Sequence, residues 1–568
     1  MEAERVECRV QSNRVQKDRP DGSLAAEPYW VAGCCPQRVI LLVIAVTSVV
    51  QLASMFDQGL WVHPDSVGYV TLAEWLVRHG DFSHELFGGR TPGYPLLLAT
   101  IFAIAGPASA AVILALQHAL VVLVGVLAAL TGWELTRRPA VAAVAGLAAG
   151  SAWGLTAYAS TVLTEAPYAA LVACVAWLSV RFAVHGGRLR LATLSTCVAA
   201  AALVRPVGLP LLGVCAAASM LACVRAWSAH ARGGSGGVRV RLAVLVGQAA
   251  CGMGPALVPL GAWSLHVQRV HGYDGAGSFG GQSLYLRVIE RDNWVDTPNP
   301  ALDEIRCDVE LASRHYPELE LDYRKHEHAH LAGRLINGWS YQESGQRMGR
   351  AAACAVAARP WAFAWGSVVN AGRILLQPDR IYLAGRSDDA CPVDPLVPRP
   401  DDLFDDFGER MPSDSRVRGW LSPPRRGPAW PLWSAMAWRF RAWCVAADPL
   451  PLLPGDNPYE NWVMWCCLSG VAALATRRRS ACAALMLIVV LQTVPPGIAP
   501  GATPRFAVPV RAWVDLWGVW SVVLCGGWVW STARRRRTAG RDSWGRRARA
   551  DDGRRVPPGA VAFDARAD

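Results

Sequence analysis

Apolar runs separated by short polar turns dominate the pattern of the chain. Seven runs come first, near Arg38–Phe56, Ser109–Trp133, Ala140–Tyr158, Pro167–Val184, Leu191–Leu203, Val207–Val224 and Leu242–Leu265. A long polar stretch, His266–Asn461, interrupts them, and three more runs follow near Trp462–Ala475, Ala481–Thr493 and Ala512–Trp530. Most approach the roughly 20 apolar residues that carry a helix across a bilayer, so the pattern predicts an all-α polytopic membrane protein with about ten transmembrane helices. Two further apolar stretches, Pro92–Gly106 and Pro360–Leu376, are only about 15 residues long and are expected to be interfacial helices. The expected organisation is a disordered cytoplasmic tail (1–37), an N-terminal transmembrane module (38–265) whose first outer loop spans 57–108, an extracytoplasmic segment (266–461), C-terminal transmembrane helices (462–531) and a second disordered cytoplasmic tail (532–568).

Composition supports the membrane reading. The chain is 52% hydrophobic, with a mean hydropathy of +0.21. Its formal charge is +11, and the basic residues are almost all Arg, with lysines only at Lys17 and Lys325. Such a charge could indicate nucleic acid, but the arginines cluster after every second run: Arg137–Arg138, then Arg181, Arg188 and Arg190, then HARGGSGGVRVR, then Arg477–Arg479, then Arg534–Arg537. Positive charge is retained in the cytoplasm, so this alternation predicts a multi-pass protein of the cell membrane with both termini cytoplasmic and no nucleic-acid partner. Some 37 largely polar residues precede the first run with no prompt A-x-A cleavage pattern, so the first span is expected to remain uncleaved.

That topology sorts the polar residues. Asp65, Glu165, Arg90, Arg205 and Arg505 all fall on the outer side. Asp65 is followed by Tyr69, Leu72, Ala73 and Leu76 at helical spacing, which places it at the N-terminal end of an amphipathic helix lying on the membrane. A solvated loop acid is the bland alternative. An acid at the bilayer surface can also act as base on a hydroxyl whose partner substrate is in the lipid. Glu165, in TVLTEAP, is either a helix-start acid with Thr164 as N-cap or a carboxylate presented to a cavity, and both can hold. Arg90, Arg205 and Arg505 stand in RTPGYP, RP and PRF, where outer-side positive charge is normally depleted. Arg suits bidentate contact with phosphate, and snorkelling to headgroups is the alternative.

Other features point to less. His326, His328 and His330 in KHEHAH have partly zinc-like spacing, but there is no HExxH, and an exposed polar helix is the favoured reading. No metal ligands are assigned. Cys307, Cys354 and Cys391 could form a disulfide in an oxidising compartment, with the pairing open. There is no Walker loop, no GxGxxG between strand and helix and no GxSxG, which leaves soluble-nucleotide chemistry unsupported.

Taken together, the order and side of these residues resemble the C-type (GT-C) superfamily of multispanning glycosyltransferases, near the protein mannosyltransferase and aminoarabinose transferase (family 39-like) branch. The resembling positions are Asp65, Tyr69, Ala73, Arg90 and PGYPLLLA, then Thr164-Glu165, Arg205-Pro206, and RFAVP with Arg505 and Pro509. Many members of the mannosyltransferase branch carry a second acid directly after the first; here that residue is Ser66. The resemblance implies inverting transfer of a hexosyl or pentosyl group from a polyprenyl-phosphate sugar to an extracytoplasmic glycan, lipid or protein. It implies Asp65 as general base, Glu165 as an acceptor-positioning or cation-holding acid, Arg90, Arg205 and Arg505 on the donor phosphate, and Tyr69 and Tyr94 positioning substrate. Divalent-cation use varies across the superfamily and is left open.

Two other classes stand beside it. A transporter or flippase of lipid-linked sugars needs polar groups near the bilayer midplane. The runs show few, chiefly Glu134 and Asp515 near span ends. A non-enzymatic membrane assembly protein of the cell envelope would use the long outer segment to bind a partner.

Overall fold

The computed structural model describes residues 36–58, 60, 64–233, 238–272, 279–296, 298–376 and 479–498. The expected spans near Trp462–Ala475 and Ala512–Trp530, both tails, Arg505 and Cys391 lie outside them. The protein is an all-α polytopic membrane protein, with no strand among the described residues.

The first helices follow the apolar pattern closely. They are α1 (Pro36–Gln58), α2 (Pro64–His79), α3 (Gly93–Ala105), α4 (Ser109–Thr136), α5 (Pro139–Gly150), α6 (Trp153–Ala159), α7 (Glu165–His185), α8 (Arg188–Val204), α9 (Leu212–Gly233) and α10 (Val238–His271). Proline opens α1, α2 and α5, where its fixed φ suits a first turn and its missing N–H costs nothing. Among the described residues, five stretches are long and apolar enough to cross a membrane: Pro36–Phe56, Gly93–Thr136, Glu165–His185, Pro206–Ala229 and Leu242–His271.

One expectation gains detail and one changes. Pro92–Gly106, expected as an interfacial helix, is helical over nearly those bounds. As α3 it buries Tyr94, Leu98, Ile101 and Phe102, several of them against α2, and a single 3-10 turn at Gly106–Ala108 joins it to α4. The span expected near Ala140–Tyr158 is broken. Helix α5 stops at Gly150, whose carbonyl accepts from the Gln51 side chain at 2.9 Å, and the chain restarts as the short α6. Helices α4 and α5 meet through Gly125, Gly146 and Gly150. A β-carbon on Gly125 would lie 2.8 Å from the Gly146 carbonyl oxygen, so the backbones approach as in small-residue membrane interfaces.

Helix α7 is the centre of the bundle. It is buried on nearly every side, against α4, α8 and α16 (Arg479–Ile498).

The polar segment folds as helices too: α11 (Phe279–Tyr285), a π-turn at Leu286–Arg291, α12 (Pro300–His315), α13 (His326–Asn337), α14 (Tyr341–Ala358) and α15 (Pro360–Leu376). Their own core contains Tyr285, Val288, Ile289, Leu302, Ile305, Val309 and Met348. Asn299 caps α12 through a bond from Leu302 N at 3.2 Å, and Ser340 with Glu343 forms a capping box on α14. Helix α15 has the bounds expected for the second interfacial helix. It packs along α16 and leaves Trp361, Trp365 and Val368 exposed on one stripe.

Candidate functional site

Asp65, Gly68 and Tyr69 sit at i, i+3 and i+4 of α2, so they share one face. Arg90 lies on that face. Its guanidinium is 4.3 Å from the Tyr69 ring centroid and 3.8 Å from Asp65 Oδ1. A β-carbon on Gly68 would fall 2.9 Å from Arg90 Nε, so the missing side chain makes the seat. Arg90 is 7% exposed and Asp65 32%, which leaves the acid as the accessible member of the pair. Tyr94 meets Tyr69 edge to face at 5.2 Å and is itself buried.

The loop bearing Arg90 is fastened at several points. Trp75 Nε1, Ser83 N and Ser83 Oγ all donate to Asp81 Oδ1, at 2.8, 3.0 and 2.7 Å. The Trp75 bond, then those from Ser83, hold the Asp81 carboxyl down at about 2. Phe82 packs against Trp263 of α10, and its carbonyl oxygen is 3.2 Å from Nε2 of both His266 and His271.

A second acid–arginine pair lies nearby. Arg205 Nη1 donates to Glu165 Oε1 at 3.0 Å, with the acid fully buried and the Arg nearly so. Helix α8 ends at Val204 and Arg205 turns into extended backbone, which aims its side chain back to the start of α7. Gly93 brings the two pairs together. A β-carbon there would lie 2.7 Å from the Leu203 carbonyl oxygen, so the chain just after Arg90 runs against the chain just before Arg205.

Thr164 does not cap α7. Its backbone is already helical (φ −76, ψ −11), whereas a capping side chain needs an extended residue to reach the next amides.

Several contributors escape sequence reading. Tyr94 Oη donates to Gln117 Oε1 at 3.4 Å, and Gln117 Nε2 donates to the carbonyls of Ala159 (3.2 Å) and Thr161 (2.9 Å). His118 bridges Gln51 Oε1 (2.7 Å) and Ser160 Oγ (3.2 Å), while Gln51 Nε2 also donates to Thr156 Oγ1 at 2.9 Å. Tyr168 donates to Gln492 of α16, which donates to Val207 O at 3.3 Å. The spans are thus richer in buried polar groups than their hydropathy suggests. The available signal was the doublet Gln117-His118 inside an otherwise apolar run.

Two of the KHEHAH histidines have separate partners. His326 Nδ1 is 2.8 Å from Glu290 Oε2, and His328 Nδ1 accepts from Asp322 N at 3.0 Å. Burial, then Arg334 and His326, pushes His330 down to about 4. Among the described residues no group of three His, Cys, Asp or Glu is arranged to hold a metal. Cys307 and Cys354 are free and exposed.

No family model matches the chain, and no curated protein matches it. Solved structures similar to it include that of ArnT from Cupriavidus metallidurans in the apo state, at 15% identity and a TM-score of 0.31, over 86% of this chain and 78% of that one. The same protein bound to undecaprenyl phosphate gives 15% identity and a TM-score of 0.32 over the same shares. Identity and overlap this low carry no chemistry across.

Proposed function

We propose that this protein is a membrane glycosyltransferase that moves a sugar, with inversion, from a polyprenyl-phosphate donor to a hydroxyl of an acceptor outside the cytoplasm. The observation that carries this reading is the shared seat of Asp65 and Arg90 on one face of α2. A base and a phosphate-binding cation held on one surface meet the two charge demands of the reaction. The acceptor oxygen attacks the anomeric carbon and passes its proton to Asp65. The bond from that carbon to the phosphate oxygen breaks, and the polyprenyl phosphate leaves with the electron pair, its charge met by Arg90. Tyr69 orients the guanidinium through its ring face. Glu165, paired with Arg205, positions the acceptor, and Arg505 is the second cation proposed for the phosphate.

The decisive variant is Asp65→Asn, assayed with labelled polyprenyl-phosphate sugars and candidate acceptors. Transfer should fall at least 100-fold, within the usual range for a lost general base, with insertion and folding intact. Wild-type rates in that variant would remove Asp65 from the base role.

A transporter is the second reading, and it rests on the buried Gln51, Gln117 and His118. Each of these is bound to another side chain or to the backbone of residues 150–161, which suits a structural clamp better than a path. Unimpaired movement of the sugar-lipid across vesicles by the Asp65→Asn protein, with no transfer in wild type, would favour it.

A further inference from the structure

Thr164 precedes the best-buried acid of the bundle, and its side chain has no role in the resting fold. It is 0% exposed, and its hydroxyl makes no hydrogen bond among the described residues. It does not cap α7. A buried hydroxyl with no partner is destabilising, and a Val at the same place would fill the same volume without that penalty. Buried polar groups left in this condition call for an explanation, and a bound ligand supplies one.

The surroundings indicate what kind. Thr164 stands at the N-terminus of the 21-residue α7, next to Glu165, which is held at 3.0 Å by Arg205. The helix end and Arg205 are both electropositive, but Glu165 offsets them, so the place is close to neutral overall. A phosphate would face that carboxylate. A neutral sugar hydroxyl, able to accept or donate, is compatible with it.

We propose that the Thr164 hydroxyl is a substrate contact, hydrogen-bonded to one hydroxyl of the sugar brought in by the lipid donor. This rests on the glycosyltransferase reading and adds a specificity residue to it. The contact is closed off in the present conformation, so the sugar reaches it only when the elements around the start of α7 part.

The test compares wild type, Thr164→Val and Thr164→Ser, all full-length and purified in lipid nanodiscs. Unfolding without substrate should show Thr164→Val as stable as wild type or more so. A clear loss of stability would mean the hydroxyl is already bonded, by a water for example, and would overturn the proposal. With labelled polyprenyl-phosphate sugars, Thr164→Val should lower kcat/KM about tenfold, equivalent to about 1.4 kcal/mol, and Thr164→Ser should keep most of it. A set of monodeoxy sugar-lipids adds a readout that a structural role would not move. Wild type should discriminate against one deoxy position, and Thr164→Val should not. Equal discrimination by both proteins sinks the inference and leaves the glycosyltransferase standing. Should wild type bind these lipids without transferring, the catalytic reading fails, and the contact is judged by whether Thr164→Val weakens binding tenfold. A wild-type protein that neither binds nor transfers overturns both.

Discussion

Arg90 owes its geometry to an absent side chain. Its guanidinium rests over Gly68 and Tyr69, with 2.9 Å from Nε to where a β-carbon on Gly68 would be. At 7% exposure the guanidinium has little room to retreat. Gly68→Ala is therefore expected to displace it from Asp65 while α2 still forms, since Ala is a better helix former than Gly. The expected result is a rise of about tenfold in KM for the lipid donor, worth about 1.4 kcal/mol, with unchanged or higher thermal stability. An unaltered KM would mean that Arg90 does not meet the donor phosphate. The charged members of this site were legible in the sequence. Asp65, Arg90, Glu165 and Arg205 stand out because charge flanking apolar runs needs a reason, and the structure places them in two adjoining pairs. Gly68 was not legible, because a glycine in a helix looks the same whether or not a side chain from 22 positions away lies on it.

Among the elements, helices α7 and α8 follow their apolar runs to within three residues and α15 has the expected bounds, because 3.6-residue periodicity and run length are local properties, whereas α9 and α10 run past their expected ends by nine and six residues. The break between α5 and α7 is not local. It depends on Gln51, which takes the Gly150 carbonyl 99 positions away, and on Gln117 and His118 of α4, which hold residues 159–161. Irregular backbone at membrane depth survives only where protein satisfies its polar groups, and these three side chains do so. His118→Leu removes one bridge and leaves Gln51 Oε1 and Ser160 Oγ without it. A loss of about 1–3 kcal/mol is expected, seen as a lower unfolding temperature in detergent. Because the clamped residues lead straight into Glu165, kcat should fall as well. His118→Gln, which keeps a donor and an acceptor, should restore part of both. If His118→Leu were as stable as wild type, the network would not be what fixes the stretch before α7.

At the scale of the whole molecule, the two acid–arginine pairs and the helical segment 279–358 are expected on one side of the membrane. Gln342 of α14 donates to the Glu85 carbonyl at 3.4 Å, in the loop that carries Arg90. Phe82 of that loop packs on Trp263, near the end of α10 that leads into the segment. The arginines predict which side this is. Arg137 and Arg138 lie at the far ends of α4 and α5, and Arg188 and Arg190 at the far end of α8, all away from the site. Retained positive charge there predicts a site outside the cytoplasm. Cys307 on α12 and Cys354 on α14 provide a direct test, because both are free and exposed, while Cys174, Cys197, Cys215, Cys223, Cys251 and Cys482 are buried or half-buried. A membrane-impermeant maleimide added to intact cells should modify Cys307 and Cys354, as read by peptide mass spectrometry, with Cys223 near the opposite end unmodified. Labelling of the pair only after permeabilisation would place the site in the cytoplasm. The donor lipid would then have to present its sugar on that face, where soluble activated sugars are also available, and the case for a lipid-linked donor would lose its topological support.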